Sequence, residues 1–181
     1  RQIETELTVM FCDIRSFTSI SEKLSPTGVM MLINEYLDKV GPIIRNYGGF
    51  VDKYIGDGVM AIFPTKPDQA CRAAIEIVAE IEQLRPDLGL RIGVGLHHGS
   101  AVLGTIGERG RIDTTVLSDA VNVASRIQGL SEHFSSPVLT SSAVKEKAAV
   151  NTDLLFDYLD TVQVKGREVG VEMYSVDLAT F

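Results

Sequence analysis

The 181 residues carry 24 acidic side chains against 17 Lys and Arg, a net charge of −7, with 45% hydrophobic and 23% charged residues. A chain of this size buries roughly 70% of the surface its unfolded form exposes, so a single domain over 1–181 is expected to fold without a covalent staple. The composition excludes disordered, collagenous and disulfide-scaffold classes, and the acidic balance argues against a nucleic-acid partner, which needs a basic face to displace phosphate counterions.

Residues 1–6 are polar, and no apolar run reaches the 18 or so residues of a membrane span. Because the chain does not begin with Met, it is expected to be a piece of a longer protein, with a sensor or membrane region outside it and a cytoplasmic setting for this part. Residues 7–11 form an apolar run suited to a buried strand that ends at Asp13, in the stretch FCDIRSFT. Ser25 and Pro26 supply an N-cap and a first-turn proline. Val29, Leu32, Ile33, Tyr36, Leu37, Val40, Ile43 and Ile44 follow at three- and four-residue spacing, which predicts a helix that Pro42 breaks or kinks.

After Gly48 and Gly49, residues 50–54 and 59–63 read as a hairpin that turns at Gly56-Asp57-Gly58, with Asp57 at its tip. Cys71, Ala74, Ile75, Val78 and Ile81 predict an amphipathic helix over about 68–84, with Asp68 in its first turn. Residues 90–96 and 100–104 read as two strands separated by His97, His98 and Gly99. A helix over about 119–134 follows, then a strand at Pro137, a short helix near 141–148 and closing strands over 154–159 and 172–176. Cys12 and Cys71 lack metal-ligand spacing and read as reduced core residues. The order predicts an α/β (α+β) ferredoxin-like sandwich, a central and mostly antiparallel sheet with helices on one face.

Asp13 ends a central strand and Asp57 tips the hairpin expected beside it, so both carboxylates can share one sheet end. Two carboxylates there suit paired Mg²⁺ ions completed by water and phosphate oxygens; the alternative is that each solvates a turn. Residues 14–18, with Arg15, Ser16 and Thr18, lead toward a helix, where successive N–H groups cradle a polyphosphate or simply cap the helix. Asn122 and Arg126 lie four apart on one helix face. Arg suits charge developing on a phosphoryl group and Asn a ribose or water; a solvated pair is the alternative. His97 and His98 face opposite sides of a strand and cannot easily ligate one metal, so a strand-end or turn role is expected. Lys53, Thr115 and Lys165 carry no signal from spacing.

Together FCDIRSFT (11–18), GGFVDKYIGDGVMAIF (48–63), RIGVGLHHG (91–99), TTVLSDAVNVASR (114–126) and VKG (164–166) resemble the class III nucleotidyl cyclase catalytic domain, over a core of about 8–176. The resemblance implies conversion of ATP to cyclic AMP and pyrophosphate at two active sites shared across a homodimer. It implies Asp13, Asp57 and the Ile14 carbonyl as ligands of two divalent cations, Mg²⁺ or Mn²⁺. From the other subunit it implies Lys53 and Thr115 at adenine, Asn122 at the ribose, Arg126 at the transition state and Lys165 at the phosphates. Arg91, Phe17 and Thr18 are further substrate-binding candidates on the same basis. Lys53 with Thr115 implies adenine over guanine, since Lys donates to N1 and the Thr hydroxyl accepts from the exocyclic amine. The rival readings are a guanylate cyclase and a non-catalytic nucleotide-binding dimerisation module. Two departures from the family pattern are Cys12 and Ser118, the latter at a turn implied to shape the dimer arm.

Overall fold

The computed structural model of the chain describes residues 2–106, 113–117, 119–150 and 152–179. Strand β1 (Gln2–Ile14) lies at the centre of the sheet. It pairs antiparallel with β4 (Ile92–Ile106) from Gln2↔Gly104 to Ile14↔Ile92, and on its other side with β3 (Gly58–Phe63) from Thr8↔Phe63 to Cys12↔Val59. The order is β2 (Phe50–Ile55), β3, β1, β4, β6 (Val138–Ser141), β8 (Val171–Leu178), β7 (Leu154–Val162), and β5 (Asp113–Leu117) pairs with β4 off this path. All pairings are antiparallel except β4 with β6.

Five helices complete the described fold: α1 (Phe17–Glu22), α2 (Pro26–Asn46), α3 (Pro67–Glu82), α4 (Asp119–Gly129) and α5 (Ser142–Lys147). Ser25 caps α2 as expected, its hydroxyl accepting the Gly28 N–H at 3.0 Å. Helix α2 runs through Pro42 without ending. The missing N–H costs one backbone bond, and Tyr36, Val40, Ile43 and Ile44, buried on either side of it, hold the helix against the core.

Helices cover both faces of the sheet, not one. Met10, Cys12 and Ile14 pack with Tyr36 and Ile44 of α2 and Ala74 and Ile77 of α3. Leu7 and Val9 point the opposite way and pack with Ala120 and Ala124 of α4. The physical reason is already in β1, whose apolar residues are consecutive instead of alternating, the pattern of a strand buried on both sides. Val123 and Ile127 extend the α4 side over Val162, Val164, Val171 and Met173.

The two strands expected around His97-His98-Gly99 are one continuous strand, β4. Both cysteines are free and buried, and burial pushes the Cys12 thiol up to about 12. Among the described residues no helix is long and apolar enough to cross a membrane.

Candidate active site

The β1–β3 register brings the two acids together. Its last pair, Cys12↔Val59, leaves Gly58 beside Asp13, where an added Cβ would stand 3.9 Å from the Asp13 Cβ. Ile55 pairs with Gly58, so Gly56 and Asp57 form a two-residue loop, and Gly56 takes the positive φ of 61° that a II′ hairpin needs at its first central position. The Asp57 carboxylate accepts the Ile14 N–H at 3.1 Å. Asp13 accepts the Gln128 amide at 2.5 Å, and the same nitrogen lies 3.4 Å from the Gly93 carbonyl. Burial, then the neighbouring Asp57 charge, push the Asp13 carboxyl up to about 6, against the Gln128 hydrogen bond and Arg15.

Helix α4 reaches Asp13 because β4 leaves room for it. A Cβ on Gly95 would lie 2.3 Å from the Gln128 nitrogen and 2.6 Å from the Ala124 carbonyl, and one on Gly93 would lie 2.1 Å from the Ser131 hydroxyl. Two glycines one strand period apart therefore let the helix backbone settle on the strand and carry Gln128 over the sheet end.

Beside the carboxylates lies a cleft of about 530 Å³ lined by Arg15, Ser16, Lys23, Arg91 and Glu132 among others. Arg15 is pinned there, donating to the Ser131 and Ser136 carbonyls at 2.8 and 2.9 Å. Arg91 is exposed, 3.6 Å from Glu82. The 14–18 segment is a less open cradle than expected, since the Ile14 N–H is given to Asp57 and the Arg15 N–H to the Arg91 carbonyl at 2.8 Å. Phe17 packs partly into the core, and Thr18 is exposed.

The residues fit a divalent cation. Two carboxylates share one strand end, one of them raised by burial and by the other's charge, so a hard cation taking their oxygens would offset that repulsion. Among the described residues no third His, Cys, Asp or Glu joins them, which leaves the remaining coordination to carbonyls, water or substrate.

A second group assembles on the outer face of α4. Asn122 and Arg126 are both exposed. Arg126 donates through Nε to the Gln163 carbonyl at 3.3 Å. Lys165 sits exposed at the tip of a turn closed by the Arg167 N–H on the Val164 carbonyl at 3.0 Å, with Gly166 at φ 89°. Lys53 stands in β2 just after a register shift between Val51 and Lys53, 3.6 Å from Asp52. Thr115 pairs with Gly104 through β5; its side chain, and Ser118, lie outside the described residues. Among the described residues no hydrogen bond or ion pair joins Asp13 or Asp57 to Lys53, Asn122, Arg126 or Lys165, and the charges bearing on Asp13 are Asp57, Arg15 and Glu132.

A family model described as the adenylate and guanylate cyclase catalytic domain matches residues 1–177. The chain belongs to this family. An adenylate cyclase of Anabaena cylindrica is 36% identical over 94% of the chain, which spans only 36% of that relative. A bacterial light-regulated adenylyl cyclase superposes with a TM-score of 0.87 at 33% identity over 100% of this chain and 54% of the other. The guanylyl cyclase Cya2 superposes at 0.85, with 25% identity over 98% of this chain and 94% of the other.

In this cyclase domain the two histidines are buried in mid-strand, not at a strand end or turn. His98 Nδ1 lies 2.9 Å from the Thr8 hydroxyl and His97 Nδ1 2.6 Å from the Ser141 hydroxyl. Burial first, then Arg167, lower His97 to about 4. The sequence points to Arg15 only as part of the 14–18 segment, and to neither Gln128 nor the Asp119–Arg167 ion pair. The spacing of Gly93 and Gly95 is the one trace of the α4 approach that the sequence offers, and nothing local marks Gln128 itself.

Proposed function

We propose that the chain is the catalytic module of an adenylate cyclase, forming cyclic AMP and pyrophosphate from ATP at two sites shared across a homodimer. The observation that carries the proposal is the division of labour within one protomer. A carboxylate pair is built at the end of β1, Arg126 stands on the outer face of α4 with Lys165 in the turn between β7 and β8, and among the described residues no hydrogen bond or ion pair joins these cations to the carboxylates. A twofold axis would face each half with its complement twice.

In this reading Asp13, Asp57 and the Ile14 carbonyl hold two divalent cations, Mg²⁺ or Mn²⁺. Bound there, the cations supply Lewis acidity toward the ribose 3′-hydroxyl and the phosphate oxygens. Arg15 and Arg91, in the cleft next to these carboxylates, add positive charge for the triphosphate, and Phe17 and Thr18 follow Ser16 of the same lining in the chain. Across the interface Asn122 orients the ribose for in-line attack of the 3′-oxygen on the α-phosphorus. Arg126 and Lys165 meet the charge that builds on the α-phosphate and on the departing pyrophosphate.

Lys53 and Thr115 choose the base. The bulge at Val51–Lys53 re-aims the Lys53 side chain out of the plain strand alternation, a common device beside active sites. A guanylate cyclase is compatible with the same fold, and the base-reading pair is what argues for ATP. A cytoplasmic setting suits two reduced cysteines, and a sensor or membrane region elsewhere in a longer protein suits a chain that spans about a third of its Anabaena relative.

The test is turnover of ATP and of GTP with Mg²⁺ or Mn²⁺, reading cyclic nucleotide and pyrophosphate. Cyclic AMP is expected from the native protein, with a shift toward cyclic GMP in Lys53→Glu/Thr115→Cys. A dimer that turns over neither nucleotide would favour the non-catalytic module.

A further inference from the structure

We infer that the ion pair between Arg167 and Asp119 is a positioning device that fixes Lys165 for its phosphate contact. The inference rests on the cyclase reading of Lys165 given above.

The segment around Lys165 is built to present one side chain. Val162 and Val164 are buried against Val123 and Ile127 of α4, so alternation leaves Gln163 and Lys165 pointing outward. The chain then reverses. With the Arg167 N–H on the Val164 carbonyl at 3.0 Å and Gly166 at φ 89°, residues 164–167 take the form of a type II turn, in which the third residue needs a positive φ. Lys165 is the second residue of that turn.

Two side-chain contacts to α4 bracket it. On one side Arg126 Nε reaches the Gln163 carbonyl at 3.3 Å. On the other, Arg167 grips Asp119 in the first turn of α4, its Nε at 2.7 Å and its terminal nitrogen on the same oxygen. Asp119 is the better anchor for being where a helix start favours negative charge. The turn is thus tied to the helix that carries Asn122 and Arg126, so that a ligand touching all three meets them in one fixed frame.

Arg167 is itself committed to Asp119 and acts through Lys165. The pair is partly exposed, with side-chain accessibilities of 35% and 49%, so its loss should loosen the turn without unfolding the domain. We expect Arg167→Gln and Asp119→Asn each to lower kcat/KM for ATP by about three- to tenfold, with the melting temperature little changed.

The deciding experiment is a double-mutant cycle on the full chain. Wild type, Lys165→Ala, Arg167→Gln, Asp119→Asn and the pairwise doubles are compared for kcat, KM and inhibition by added pyrophosphate, with Arg167→Lys as the conservative variant. A positioning role requires that Arg167→Gln add nothing once Lys165 is Ala, that Arg167→Gln and Asp119→Asn be non-additive with each other, and that Arg167→Lys recover part of the loss. Pyrophosphate inhibition should weaken in parallel. Multiplying effects of Arg167→Gln and Lys165→Ala, or a harmless Asp119→Asn beside a damaging Arg167→Gln, would overturn it by making Arg167 a direct ligand. If Lys165→Ala itself leaves turnover and pyrophosphate inhibition intact, the reading of Lys165 fails instead, which is a distinguishable result.

Discussion

The carboxylate end of β1 and the outer face of α4 are assembled by different means. Asp13 and Asp57 inherit their positions from backbone register, a two-residue turn and the buried strands on either side. Arg126 and Lys165 are exposed and owe theirs to a type II turn, one 3.3 Å hydrogen bond and a surface ion pair. Contacts of the second kind contribute about 1 kcal/mol or less each. The first region is therefore fixed by backbone pairing, whereas the second rests on side-chain contacts that local change can re-aim. Mutations in the first should damage chemistry or folding outright, and mutations in the second should be graded.

The largest effect expected on the rigid side is from Asp57→Ala. Removing half of a carboxylate pair should lower kcat about 1,000-fold or more, the several kcal/mol that a metal-centred charge contributes. Thermal stability should move little, because the change removes the Ile14 partner and also the like charge that raises Asp13. A metal-free melting curve beside a turnover assay checks both halves of this expectation.

Next is Gly95→Ala, which places a Cβ 2.3 Å from the Gln128 nitrogen and 2.6 Å from the Ala124 carbonyl. Those are backbone atoms that cannot swing aside, so a loss of about 3 kcal/mol in denaturant unfolding is expected, with α4 displaced and activity lost alongside. If this variant is as stable as wild type, α4 does not lie on β4 as described.

On the adjustable side, Arg126→Ala should lower kcat about 100-fold with KM almost unchanged, the behaviour of a contact made chiefly in the transition state. A rise in KM at constant kcat would make Arg126 a ground-state binder.

The smallest effect concerns the ground on which the adjustable region rests. Burial holds His97 neutral beneath the Arg167–Asp119 pair, its value lowered from 6.5 to about 4. The unfolded chain therefore takes up a proton at a higher pH than the folded one. The stability that neutral His97 contributes is present above about 6.5 and lost as pH falls toward 4, about 2 kcal/mol by pH 5. His97→Gln should flatten that part of the stability–pH profile, and an unchanged profile would assign the slope to other groups.

Legibility in the sequence follows the same divide. Hairpin, caps and amphipathic helices are local, and β2–β3, α2 and α3 lie close to where spacing predicts them, with Asp13 and Asp57 meeting at one sheet end. What depended on distant partners was not legible. His97-His98-Gly99 looked like a break because two adjacent polar residues interrupt an apolar run. The strand continues because Thr8 and Ser141, far along the chain, hold both imidazoles. Helix α4 over the second face, and Gln128 over Asp13, depend on Gly93 and Gly95 opening a path whose use no local pattern reveals. Lys165 and Lys53 came only through family resemblance, since a single exposed lysine has no spacing to read.

In the proposed dimer each active site takes its carboxylates from one subunit and its Arg and Lys from another. Asp57→Ala and Arg126→Ala proteins, each nearly silent alone, should be mixed, allowed to exchange subunits and assayed for cyclic AMP. A shared site predicts recovery to about a quarter of wild-type activity, because half the dimers are mixed and each holds one intact site. No recovery after demonstrated subunit exchange would contradict the shared site and return all the catalytic groups to a single protomer.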